Sequence, residues 1–174
     1  MPERARVLVV DDSADMARTI AAGLGDRGYE AVAAASGEEA LARLRGEVFH
    51  AVITDLRMPK IDGLEVLAES RRLDAERPVI VMTAFSAIDT AVESIRRGAY
   101  HYLTKPFKQD ELAIFLGRAL EDVRVRKEAE SLKTALRTRF SSQNILGTSE
   151  AIRAVRERIL RVADAPAPVK APLT

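Results

Sequence analysis

Five apolar runs of strand length, separated by longer segments of helical period, constrain this chain more than any other feature of its sequence. The runs are Val7 to Val10, Tyr29 to Ala34, Ala51 to Thr54, Val79 to Met82 and Tyr100 to Leu103. They are continuously apolar rather than alternating, the pattern of strands covered by helices on both faces. Between them, Met16, Ile20 and Leu24 recur at every fourth residue, and Ser36 with Glu39 has the spacing of a capping box ahead of Ala40, Leu41 and Leu44. Leu64, Leu67 and Leu73, then Ala91, Val92 and Ile95, supply two further helices, and Gly28 and Gly98 stand where a helix must stop before a strand. Strict alternation of this kind predicts an α/β domain, a (βα)5 unit with a doubly wound parallel sheet, ending near residue 122.

In such a sheet, ligands bind outside the C-terminal ends of the strands. Four of the five runs end there in polar residues of complementary type: Asp11 and Asp12, Asp55, Thr83 and Lys105. Right-handed crossovers put the loops after strands one, three and five on one edge, so Asp11, Asp12, Asp55 and Lys105 are expected to converge. Three carboxylates in one place repel unless a cation neutralises them, and hard oxygen ligands partly open to water suit Mg²⁺ better than zinc. Beside a metal, Asp55 can act as a nucleophile toward a phosphoryl group and form an acyl phosphate. Lys105 would pair with the phosphate oxygens, and Thr83 would offer its hydroxyl to the same group. Taken singly, each has a structural explanation: an Asp pair capping a helix, an Asp in a turn, a Thr ending a strand, a Lys before Pro106 for solubility. The joint occurrence at four strand ends argues for a site. His50 and His101 lie at strand starts without ligand-like spacing, so neither is expected to bind metal or relay phosphate.

Composition narrows the partners. The chain has 174 residues, with 27 Lys and Arg against 26 Asp and Glu, which gives no electrostatic case for nucleic acid or an anionic membrane as the main partner. It has no cysteine, so disulfides, thiolate chemistry and cysteine-ligated metals are excluded. The first apolar run is too short for a signal peptide and no stretch approaches a membrane span, so the chain is read as cytoplasmic.

Four segments carry a resemblance to a known family. Val9-Val10-Asp11-Asp12-Ser13, Thr54-Asp55-Leu56-Arg57-Met58-Pro59 with Asp62-Gly63, Met82-Thr83-Ala84 and Leu103-Thr104-Lys105-Pro106-Phe107 resemble, as an ordered set over roughly residues 5–122, the motifs of two-component response regulator receiver domains. The resemblance implies a flavodoxin-like fold and a phosphoryl group taken from a sensor histidine kinase onto Asp55. It implies Mg²⁺ held by Asp11, Asp12, Asp55 and the backbone carbonyl of Arg57. It also implies a switch pair, Thr83 and Tyr102, and a cis peptide bond before Pro106 that aims Lys105 at the site. The surfaces expected to change are the helix with Ala91, Val92 and Ile95, the strand at Tyr102 and the helix after Lys105.

The last helix is expected to outrun the domain. Leu112, Phe115, Leu116, Ala119, Leu120 and Val123 keep a helical period, and Val125 to Arg139 continues without Gly or Pro. Val125, Ala129, Leu132 and Leu136 have the 4-3-4 spacing of a short coiled-coil seam, so residues 123–140 read as a helical linker and the 110–140 helix as a homodimer contact. Residues 141–174, with Ile152, Val155, Ile159, Leu160 and Ala167-Pro168-Val169, resemble the opening of the ATPase domain of sigma-54-dependent activators of the NtrC type, with a Pro-rich, disordered end. No G-x-x-x-x-G-K-[ST] loop occurs in the sequence. The chain is therefore expected not to hydrolyse ATP, and to reach sigma-54 RNA polymerase and DNA only through domains it lacks, as a regulatory fragment of a larger protein. Other classes fit the same Asp55: a small aspartyl-phosphate hydrolase, which wants an acid two residues on where this chain has Arg57, or a constitutive dimerisation module.

Overall fold

Each of the five apolar runs forms a strand in the computed structural model, which describes residues 4–84 and 88–139. The elements alternate as β1 (Arg6–Val10), α1 (Ala14–Gly25), β2 (Glu30–Ala34), α2 (Gly37–Gly46), β3 (Ala51–Asp55), α3 (Gly63–Leu73), β4 (Val79–Ala84), α4 (Ile88–Arg96), β5 (His101–Lys105) and α5 (Gln109–Arg139). All strands pair in parallel in the order β2-β1-β3-β4-β5, the doubly wound arrangement that the sequence implies. The residues after β1, β3 and β5 therefore share one edge.

Successive residues of a strand point to opposite faces, so each strand feeds two cores. Leu8, Val10, Val52, Val79 and Val81 pack with Ala40 and Leu44 of α2 and Val66 and Leu67 of α3. Val7, Val9, Ala51, Ile53, Ile80, Met82 and Leu103 pack on the other face with Ile20 and Leu24 of α1 and Leu112 and Leu116 of α5. Leu8, Ile53, Leu67, Met82, Leu112 and Leu116 are fully buried; each contributes about 1.5–3 kcal/mol of transfer free energy.

The helix boundaries follow from local chemistry. Ser13 caps α1 by accepting from the Met16 N–H at 3.3 Å. Gly28 and Gly98 have φ of 90° and 94°, the left-handed conformation that ends a helix without a Cβ clash. Three details depart from expectation. Met16 is 43 % exposed, because Ala17, Ile20 and Leu24 carry the buried stripe of α1. Leu73, at the last turn of α3, is likewise 38 % exposed. The Ser36 box is half formed: the Ser36 hydroxyl accepts from Glu39 N–H at 3.1 Å, but Glu39 reaches past Ser36 to the Ala35 N–H at 2.9 Å. The complete box is at α3, where Asp62 and Glu65 bond each other's backbone N–H at 2.9 and 3.0 Å.

α5 runs unbroken for 31 residues. Leu112, Leu116 and Ala119 are fully buried, whereas Val125, Leu132 and Leu136 are 51–60 % exposed. The chain divides into two compact units, Met1–Arg126 and Lys127–Thr174. The readings made for residues 141–174 lie outside the described residues.

Candidate functional site

Strand parity decides which polar residues meet at the C-terminal edge. Val7 and Val9 face α1 and α5, as do Ala51 and Ile53 of β3 and Leu103 of β5. Two residues further along each chain stand Asp11, Asp55 and Lys105, and these three converge. Lys105 Nζ lies 2.7 Å from Asp11 Oδ2 and 2.6 Å from Asp55 Oδ1. Asp11 is 2 % exposed and Asp55 8 %. The Lys105–Pro106 peptide bond is cis, as the resemblance implies.

Both carboxylates are held by backbone as well. The Ser13 N–H donates to Asp11 Oδ1 at 2.9 Å, and the Arg57 N–H donates to Asp55 Oδ2 at 3.0 Å. Burial pushes the Asp55 carboxyl up; the Lys105 ammonium and the Arg57 N–H only partly offset it, and the nearby Asp11 adds to the rise. Burial works against the Lys105 charge, but its contacts with Asp11 and Asp55 outweigh it and raise its pKa. Two carboxylates thus share one ammonium, leaving a net negative charge in a largely desolvated place, where charge is costly.

Asp12 does not join them. It is the next residue after Asp11, in the bend between β1 and α1, and is exposed. Among the described residues no group of three acidic, His or Cys side chains is already arranged to hold a metal ion. The donor set still suits a hard divalent cation: two buried carboxylates, only half compensated, with Asp12 beside them at the surface.

Thr83 and Tyr102 belong to the opposite parity. Thr83 follows Val79 and Val81, is 2 % exposed, and donates its hydroxyl to the Ala84 carbonyl at 3.3 Å. Tyr102 pairs with Val81 in the sheet, is half-buried, and packs on the core cluster containing Val81. His101 stacks on Phe115 with ring centroids 3.9 Å apart, and His50 Nδ1 accepts from the Arg6 N–H at 2.9 Å, so both histidines have structural partners.

Sequence reasoning noted Asp62-Gly63 as a turn but missed what Gly63 does. The Gly63 N–H donates to the Leu56 carbonyl at 2.9 Å, and a Cβ on Gly63 would lie 2.2 Å from the Asp55 carbonyl oxygen. Only glycine allows the start of α3 to press on the backbone of Asp55. The signal was available in Asp62-x-x-Glu65, a capping box that fixes where α3 begins.

Residues 7–116 match the response regulator receiver domain family. The chain belongs to that family. The receiver is 37 % identical to the regulatory protein AtoC of Escherichia coli (strain K12) over 147 residues, covering 84 % of this chain and 32 % of that protein. It is 38 % identical to the transcriptional regulatory protein ZraR of Klebsiella oxytoca over 167 residues, covering 96 % and 37 %. It is also similar to the nitrogen assimilation regulatory protein NtrX of Azorhizobium caulinodans, 35 % identical over 158 residues, covering 90 % and 34 %. The chain thus spans about a third of the length of these relatives. Among solved structures, NtrX from Brucella abortus superposes with a TM-score of 0.70 at 34 % identity, covering 94 % of this chain and 35 % of that one. A receiver domain protein from Clostridium thermocellum does so with a TM-score of 0.67 at 30 % identity, covering 70 % and 98 %. No described helix is long and apolar enough to cross a membrane.

Proposed function

We propose that this receiver takes a phosphoryl group from a sensor histidine kinase onto Asp55 in the cytoplasm, and that the acyl phosphate controls a sigma-54-dependent transcription activator of which the chain is the regulatory part. The observation that carries the reading is the charge imbalance at the C-terminal edge: Asp11 and Asp55, both buried, on the single ammonium of Lys105. Asp11, Asp12, Asp55 and the Arg57 carbonyl would hold Mg²⁺, which would supply the missing positive charge and offset the repulsion between the attacking carboxylate and the incoming phosphoryl group.

The chain's own residues do the rest. Asp55 presents a carboxylate fixed by the Arg57 N–H, and burial keeps competing water away. Once Asp55 is phosphorylated, Lys105 keeps its charge paired by moving from Asp55 to a phosphoryl oxygen. The Thr83 hydroxyl, held only by a 3.3 Å bond to Ala84, turns to the same group. That motion vacates space on the Val81 face and lets the Tyr102 ring move inward. Two charge-assisted contacts of roughly 1.5–3 kcal/mol each suffice to shift two conformations a few kcal/mol apart.

The output runs through α5. Val125, Ala129, Leu132 and Leu136 form an exposed stripe at coiled-coil spacing, which fits a second copy of the chain. The unphosphorylated form is the dimer, and phosphorylation rearranges it; a monomer by light scattering without phosphate at tens of micromolar would sink that version. The phosphoryl step is tested by intact mass after incubation with a small acyl phosphate and Mg²⁺. A single adduct is expected, absent in Asp55→Ala and absent with a chelator. No adduct on a chain folded by circular dichroism would overturn the reading.

A further inference from the structure

At the edge of the sheet opposite Asp55, a polar hollow of 260 Å³ opens between the end of α3, the α4–β5 turn and residues 122–126 of α5. Three arginines line it, Arg71, Arg77 and Arg126. Arg77 is the unusual one. Its side chain is 7 % exposed, its Nε donates to the Phe49 carbonyl at 2.8 Å, and its nearest carboxylate, Asp74, stands 3.9 Å from Nη2. Its Nη1 is buried and has no hydrogen-bond partner. A buried guanidinium N–H with nothing to donate to is costly, and native structures rarely leave one so.

Arg71 is held ready on the other wall. Its Nη1 donates to the Gly98 carbonyl at 3.2 Å, and its guanidinium lies over Gly98, where a Cβ would be 2.7 Å from Nε. The missing side chain of Gly98 therefore does two things: it permits a φ of 94° and it seats the arginine. Arg126 makes no ion pair among the described residues. Of the acidic residues lining the hollow, Asp122 already accepts from the Tyr100 hydroxyl at 2.7 Å, and the exposed Glu76 can turn into water.

We infer that this hollow is an oxyanion site that takes a phosphate or pyrophosphate group of a small molecule, bound by the guanidiniums of Arg71 and Arg126, with the buried charge of Arg77 in the wall behind them. Planar guanidinium pairs match phosphate oxygens bidentately, and such charge-assisted contacts are the strong ones. The volume equals about eight or nine waters at ~30 Å³ each, room for an oxyanion with part of its hydration. A bound anion bridges α3 and the α4–β5 turn to α5 at Arg126, and so ties down α5 where its buried stripe gives out. The site is separate from the Asp55 chemistry and does not depend on it.

The test is titration of inorganic phosphate, then pyrophosphate, into the full chain with a chelator present, followed by amide NMR. Saturable shifts are expected at Gly98, Tyr100 and residues 122–126, unchanged in Asp55→Ala. The double variant Arg71→Gln, Arg126→Gln should keep its melting temperature and its phosphoryl adduct while binding about tenfold more weakly or worse, the loss expected when one or more charge-assisted contacts go. Arg77→Gln also removes the bond to Phe49 and is used only if it still folds. Shifts confined to the Asp11, Asp55 and Lys105 edge, no saturable shift, or equal affinity in the double variant would each overturn the proposal. So would a crystal grown in phosphate with only water in the hollow.

Discussion

Glu69 and Asp55 have almost the same side-chain exposure, 12 % and 11 %, yet their carboxyl groups are driven in opposite directions. Glu69, on α3, sits between Arg72 and Arg45, each donating at 2.8 Å, and those guanidiniums draw its pKa down to about 2. The arginines themselves stand in water, 65 % and 58 % exposed. Asp55 is covered by the protein interior, shares its one ammonium with Asp11, and is pushed up. One carboxylate between two cations is a finished structural contact. Two carboxylates on one cation leave charge unmatched, and unmatched buried charge is what a metal ion or an incoming phosphoryl chemistry can use.

The contrast can be broken from the Asp55 side first. Gly63→Val drives a side chain into the backbone of Asp55 and Leu56, at 2.2 and 2.9 Å from the Cβ, where nothing can yield. A loss on the order of 3 kcal/mol is expected by chemical denaturation, together with loss of the phosphoryl adduct; a loss below about 1 kcal/mol would show that the close approach is not what seats Asp55. Asp55→Asn has the opposite sign. It removes a charge the fold holds unfavourably and should stabilise the receiver by about 1 kcal/mol at neutral pH.

The pH dependence sharpens the same comparison. Because the folded pKa of Asp55 is raised, its favourable contribution is present below the unfolded value and is lost as pH rises through the folded one. The gain from Asp55→Asn should therefore vanish in acid and grow toward neutrality, measured as the difference between two melting series. Glu69 runs the other way: its contribution is present above about pH 4.5 and is lost as pH falls toward 2. An NMR titration should place its midpoint near 2, and a midpoint at the ordinary carboxylate value would mean the two arginines do not hold it. The smallest effect is that of salt. Glu69→Gln should cost little, and less still at high ionic strength, whereas the Asp55→Asn gain should resist screening because that site is buried.

Much of the fold was legible because the strands are apolar on both faces and stand out as runs; all five elements fall within two residues of the expected bounds. The same property hid the site's finer grouping. A strand buried on both sides shows no hydrophobic alternation, so nothing in Val7 to Val10 tells whether Asp11 or Asp12 points inward. Only the partition of the core into its two clusters supplies that parity. Gly63 was hidden for a related reason, since a glycine chosen for lack of volume looks in sequence like one chosen for a turn. In α5 the composition announced a long helix, but the pattern of Val125, Leu132 and Leu136 names an apolar stripe and not its occupant.

The parity of the sheet also bears on how such a domain can change over generations. Thr83 and Tyr102 share the parity of the Val81 side of the sheet, and Asp55 and Lys105 share that of the Ile53 and Leu103 side, so residue count along each strand decides which side a group serves. A deletion or insertion of one residue in β4 would carry Thr83 to the wrong side and reverse every side chain beyond it. Loops at the far edge of the sheet tolerate changes of length, whereas the residue count from Val79 to Thr83 is closed to editing by single steps.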